Sequence, residues 1–139
     1  MLGYTHLLFS FLFGSFLLDY FYPASLLAKV IFAALLLVGT FLPDIDQKIP
    51  GVKHREIFHT IWPVVLVLIA NFFLQKYFNF SVIALAIGYG SHLFADMLTP
   101  CGIAPISPLH KHRIRGPIRT GSFFEFCLAA VIMTFLLLR

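Results

Sequence analysis

The stretch SLLAKVIFAALLLVGTFLPDID, Ser25 to Asp46, decides the fold. From Ser25 to Leu42 it is apolar apart from Lys29 near its start, and it approaches the ~20 residues a helix needs to cross a ~30 Å hydrocarbon layer. Pro43 ends it, because proline supplies no N–H to continue a helix. Two carboxylates, Asp44 and Asp46, follow at once. An apolar segment that stops abruptly in acids is the pattern of a membrane helix with something polar at its end.

Four further segments of the same character surround it: Leu2 to Tyr22, Ile57 to Phe78, Phe80 to Leu98, and Ser122 to Leu138. Pro23 separates the first two, and Pro100, Pro105 and Pro108 break the chain after the fourth. Of the 139 residues, 60% are hydrophobic and only 12% charged, about half the share of a soluble chain. The expected fold is all-α: a polytopic membrane bundle of about five transmembrane helices forming one domain over residues 1–139. The division near Asn79 rests on a tight turn; one kinked or re-entrant helix there would change the downstream orientation. The first segment lacks a basic leader region and a small-x-small cleavage site, so it is expected to stay as a helix.

Formal net charge is +4, but the basic residues flank apolar segments and belong to no recognition fold, so no nucleic-acid partner is expected. They act as topology signals instead. With five spans, Lys48, Lys53, Arg55, Lys111, Arg113, Arg115 and Arg119 share the side of the N-terminus, against Lys29, Lys76 and Arg139 opposite. The positive-inside rule makes the first side, including the N-terminus and a loop at 99–121, cytoplasmic. The two cysteines, Cys101 and Cys127, form no CxxC or CxxH pair and suggest neither a disulfide framework nor a closed zinc site.

Ionisable groups within a bilayer are costly and tend to mark function. Here they fall on one side. His6 lies near the start of the first helix, Asp44 and Asp46 just after the second, His59 in the first turn of the third, His92 and Asp96 in the last turns of the fourth, and Glu125 in the first turn of the fifth. His92-x-x-x-Asp96 places an imidazole and a carboxylate one turn apart on one face, where both reach a single ion. Imidazole and carboxylate donors suit a catalytic divalent metal, Zn²⁺ first and Mn²⁺ second, as one ion or two bridged by carboxylates. Gly3, His6, Ser10 and Gly14 form a small-residue stripe for close helix approach, and Gly88 serves the fourth segment likewise.

Each residue also has a plainer reading. His6 and His59 can be interfacial histidines, Asp44 and Asp46 a solvated loop, and His92 and Asp96 a mutual hydrogen bond. Ser122-x-x-Glu125 matches a capping box. The basic loop can serve topology alone, or its arginines can attract anionic headgroups, with Arg55 one turn before His59 placed to clamp an oxyanion. His54, His110 and His112 are loop histidines.

Thr5-His6, Leu42-Pro43-Asp44-Ile45-Asp46, His54-Arg55 to His59-Thr60, and Gly90-Ser91-His92 to Asp96 with Leu98-Thr99-Pro100 resemble, in order and spacing, the YdjM-like family of inner-membrane metal-dependent hydrolases. The resemblance covers nearly the whole chain. It implies metal ligands at His6, Asp44 or Asp46, His59, His92 and Asp96, and the family's arginine at Arg55. A more distant likeness joins the His, Asp, His, His-x-x-x-Asp order to that of zinc-dependent phospholipase C, whose later ligands have no counterpart here beyond Glu125.

The expectation is a multi-pass inner-membrane hydrolase whose metal activates water against an ester or phosphoester of a lipid-like substrate at the cytoplasmic face. Arg55 would stabilise developing charge and Glu125 or a free carboxylate would carry a proton, with membrane lipids as surroundings and source of substrate. The alternatives are a noncatalytic membrane anchor with a structural metal, and a metal or proton transporter. The transporter is disfavoured because, apart from Asp19, the far half of the bundle lacks an ionisable ladder.

Overall fold

A computed structural model describes residues 1–21, 25–48, 58–110 and 112–139, with the side chains at 19–21, 46–48 and 74–81 outside that description. Its elements are α1 (Gly3–Phe21), α2 (Leu26–Phe41), a 3-10 turn (Leu42–Lys48), α3 (Trp62–Met97) and α4 (Phe123–Leu138), with no strand among the described residues. Ser25 caps α2, its hydroxyl accepting from the Ala28 N–H, which satisfies one of the orphan donors of the first turn. Pro43 falls where the α-helix gives way to the 3-10 turn.

The expected third and fourth helices are a single helical run. A straight helix of 36 residues would be about 54 Å long and would hold its ends far apart. Yet the rings of His59, just before α3, and His92, near its end, have centroids 5.4 Å apart. Val64 packs on Tyr89, Leu93 and Ile103, and the Tyr89 hydroxyl donates to the Phe58 carbonyl. The run therefore doubles back between its described arms, Trp62–Phe73 and Val82–Met97. The antiparallel pairing expected of two segments is kept, while the link expected at Asn79 lies outside the described side chains.

The start of α3 also differs from expectation. His59 lies in a turn, and the helix begins only at Trp62 with Pro63 in its first turn. Proline is tolerated there because the first turn's N–H groups have no intrahelical acceptor.

Helix α1 touches α2, α3 and α4, and the most extensive contact is between α2 and α3. Glycine makes that contact possible. A Cβ at Gly39 would run into the Leu85 carbonyl, and one at Gly88 into the Leu36 carbonyl and Thr40 N. Gly14 lies against Leu36 and Phe32, whereas Gly3 meets nothing, so the small stripe on α1 works at its middle and not at its start. Where the three helices meet, Ser10 Oγ lies 2.5 Å from both Thr40 Oγ1 and Ser91 Oγ.

Polar side chains share the interior with the apolar core, while large apolar ones face outward. Thr5, His6, Ser10, Thr40, His59, Ser91, His92, Asp96, Thr99 and Glu125 are buried, while Leu26, Leu66, Phe72, Phe73, Phe123, Phe124, Phe126, Leu137 and Leu138 are exposed. So much exposed aromatic and aliphatic surface suits a hydrocarbon solvent. Among the described residues Leu26–Ile45 is long and apolar enough to cross a membrane; Gly3–Leu18, Trp62–Phe73, Val82–Met97 and Phe123–Leu138 are shorter apolar helices.

After α3 the chain forms a strap across one end of the bundle. Ile103 and Ile114 pair through two backbone hydrogen bonds of 3.2 and 2.9 Å, and Gly102 takes a positive φ of 57°, a conformation that glycine adopts without steric penalty. Ile103 and Ala104 are buried. Ile61 N donates to the Pro105 carbonyl at 2.8 Å and Trp62 Nε1 to the Ser107 carbonyl at 2.9 Å, tying the strap to the turn that carries His59.

Replacing Gly39 or Gly88 by valine must push α2 and α3 apart, and overpacking of this kind costs about 1–3 kcal/mol. Thermal unfolding in detergent should show a lowered Tm for each, while Gly3→Ala, at an open helical position, should leave the Tm unchanged or raise it.

Candidate metal centre

The end of the bundle beneath the strap gathers side chains from four separate places in the chain. Asp96 and His92, one turn apart near the end of α3, supply a carboxylate and an imidazole that are 1% and 2% exposed. His59, fully buried, comes from the turn that Tyr89 and the strap hold in place. Asp44 comes from the 3-10 turn after α2 and is 38% exposed. His6 comes from the second turn of α1.

Two imidazoles and two carboxylates alternate around a ring. His59 Nε2 lies 3.5 Å from Asp44 Oδ1 and 3.4 Å from Asp96 Oδ2. His92 Nε2 lies 3.6 Å and 3.7 Å from the same two oxygens. These separations exceed the 2.7–3.2 Å of an N–H···O hydrogen bond. Two donors of one ion, each about 2.1 Å from it at a tetrahedral angle, lie about 3.4 Å apart, close to these four separations.

The chemistry of the donors supports the same fit. Both ring nitrogens of His92, and Nε2 of His6, are buried with no hydrogen bond to the described residues. Polar atoms withdrawn from water without a partner are costly, and native proteins rarely leave them so. Asp44, His59 and His92 form one group able to hold a metal ion, and His6, His92 and Asp96 form another, with the ligand atoms of each group within 4.8 Å of one another.

Of the residues singled out from the sequence, His6, Asp44, His59, His92 and Asp96 thus come together. The side chain of Asp46, and Arg55, His54 and Lys111 altogether, lie outside the described residues. Glu125 is placed differently, and belongs to neither metal group. Its Oε1 accepts from Leu2 N at 2.7 Å and from the Thr5 hydroxyl at 2.8 Å, and its Oε2 accepts from Gly121 N at 2.6 Å. Ser122 Oγ accepts from Glu125 N at 3.3 Å, which is half of the expected capping box. The carboxylate completes the other half on Gly121 rather than on Ser122, and with its remaining acceptor capacity it clamps the start of α1 to the start of α4. The role of Thr5 in this clamp was invisible beside the more conspicuous His6. His110 and His112 stay in the exposed strap, and Arg113 donates to the Cys101 carbonyl at 3.3 Å.

A family model described as YdjM inner membrane protein matches residues 1–138. No curated protein and no solved structure matches the chain.

Glu125→Gln places an amide N–H₂ against a backbone N–H, of Leu2 or of Gly121, that can only donate. It should lower stability by about 2 kcal/mol, the worth of hydrogen bonds to a buried charged group, measured by thermal unfolding in detergent. Metal at the Asp44, His59 and His92 group should be retained, because Glu125 and the α1 residues it clamps are outside that group.

Proposed function

The chain belongs to the YdjM family of inner membrane proteins, and from that premise we propose that it is a multi-pass membrane hydrolase whose ring of His59, Asp44, His92 and Asp96 holds a divalent metal ion. The observation that carries the reading is the alternation of imidazole and carboxylate at 3.4–3.7 Å. Two carboxylates and two imidazoles make a nitrogen and oxygen donor set that suits Zn²⁺ or Mn²⁺.

A bound ion of this kind lowers the pKa of a coordinated water and polarises an ester or phosphoester. The protein's own residues supply the rest. Asp96, His92 and His59 are enclosed and fix the donor geometry, while Asp44 keeps one edge of the ring exposed, so water and substrate have a side from which to enter. An open edge favours catalysis over a purely structural metal, whose ligands close around it. Arg55, four residues before His59 in sequence, is assigned to the developing negative charge. Glu125, its oxygens taken up by three donors, positions α1 instead of carrying a proton.

The substrate we assign is an ester or phosphoester of a lipid-like molecule. The site lies at the ends of helices whose outer surfaces are apolar, which sets it at headgroup level when those surfaces meet lipid. The strap above it carries Arg113, Arg115 and Arg119 and no acidic residue from 99 to 121. That charge suits an anionic headgroup and, by the positive-inside rule, a cytoplasmic location.

Protein purified without chelator should contain Zn²⁺ or Mn²⁺ and hydrolyse at least one member of a panel of phospholipid esters and phosphoesters. Asp96→Ala and His59→Ala should lose metal, and should lose turnover by more than the roughly 10–100-fold that removal of an outer partner costs. Metal without turnover on the whole panel would favour a membrane anchor, and protein that takes up no ion would remove the basis of the assignment.

Orientation has a built-in reporter, because Cys101 in the strap is exposed. In a Cys127→Ala background, a membrane-impermeant maleimide should label Cys101 in inverted inner-membrane vesicles and not in intact spheroplasts. The opposite pattern would put the site on the outer face.

A further inference from the structure

The ring leaves one imidazole over. His6 Nδ1 lies 3.0 Å from the Leu2 carbonyl oxygen, and a carbonyl only accepts, so Nδ1 carries the hydrogen. In neutral imidazole the lone pair is then on Nε2. That atom is buried, makes no hydrogen bond to the described residues, and lies 3.4 Å from Asp96 Oδ1. A lone pair facing a carboxylate oxygen at this distance, away from water, is repulsive unless a proton or a metal cation lies between them.

The two oxygens of Asp96 face different ways. Oδ2 belongs to the ring, close to His59 and His92, while Oδ1 faces His6. A metal-ligating histidine usually donates its other ring N–H to a carbonyl or carboxylate, which fixes both tautomer and orientation. The Leu2 carbonyl does this for His6. His6 itself is held at the start of α1, whose first residues Glu125 clamps through Leu2 N and Thr5.

We propose that His6 Nε2 and Asp96 Oδ1 bind a second divalent ion, bridged through the Asp96 carboxylate to the ion in the ring. This inference rests on the ring's being a metal site. Among the described residues only His92 joins His6 and Asp96 in one group, which leaves room for water or substrate oxygens at the second position. Paired ions about 3.5–4 Å apart are suited to displacement at phosphorus, where one oxygen attacks as another leaves. The substrate class is thereby narrowed from esters in general to phosphoesters. The terminal amine of Met1 also lies 3.4 Å from Asp96 Oδ1 and is the competing cation at this position.

The test is Mn²⁺ titration of metal-stripped, detergent-purified protein, followed by ion stoichiometry and by electron paramagnetic resonance. The expected result is two ions per chain of unequal affinity, with an exchange-coupled spectrum. His6→Ala and His6→Phe should each retain one ion, which also reports that the variants are folded, and should give only the spectrum of an isolated Mn²⁺. One ion per chain in the unaltered protein would overturn the proposal and leave the terminal amine as the cation of Asp96, with the ring reading intact. Two coupled ions in both His6 variants would overturn it as well. Protein that binds no ion would overturn this inference together with the ring reading.

Discussion

A carboxylate buried at one end of an apolar bundle must be compensated, and the arrangement around Asp96 follows from that constraint. Moving an uncompensated charge out of water costs several kcal/mol even after the surroundings relax. Asp96 is 1% exposed and meets three imidazoles, on α1, on α3 and in the turn before α3. The terminal amine of Met1 lies 3.4 Å from the same carboxylate, and His59 and His92 also face a second carboxylate, Asp44. A divalent ion held by these side chains, as proposed above, would add to that compensation.

Holding this cluster requires backbones that approach closely. Gly39 and Gly88 let α2 and α3 come into contact, which brings the end of α2, with Asp44 after it, alongside the last turns of α3. The buried hydroxyls of Ser10, Thr40 and Ser91 meet where α1, α2 and α3 join, about one turn from His6 on α1 and next to His92 on α3. Small residues and hydroxyls together join helices in lipid, where apolar side chains gain nothing by leaving one another's company for the solvent's. The strap and the Tyr89 hydroxyl then fix His59, which has no helix of its own to hold it.

Glu125 shows how a chemically conspicuous residue can be structural. Its carboxylate gathers donors from Leu2, Thr5 and Gly121, so its contribution to the site passes through the position of His6. Asp44 shows the converse. It is the most ordinary of the candidates by sequence, an acid in a connection, and it is the partly exposed member of the ring.

The sequence by itself determined the helical class, the inner-membrane family, the grouping of His6, Asp44, His59, His92 and Asp96 at one end, and the pairing of His92 with Asp96. All of these follow from local properties: apolar length, proline breaks, helical spacing and the order of motifs. Tertiary structure alone decided that the third and fourth expected helices are arms of one helical run, Trp62–Met97, that His59 sits in a turn, that Gly39 is a contact point, and that Glu125 is a clamp. Those features depend on which distant groups meet. A histidine's second nitrogen or a carboxylate's second oxygen acquires its role from a partner tens of residues away, and no local pattern records that partner.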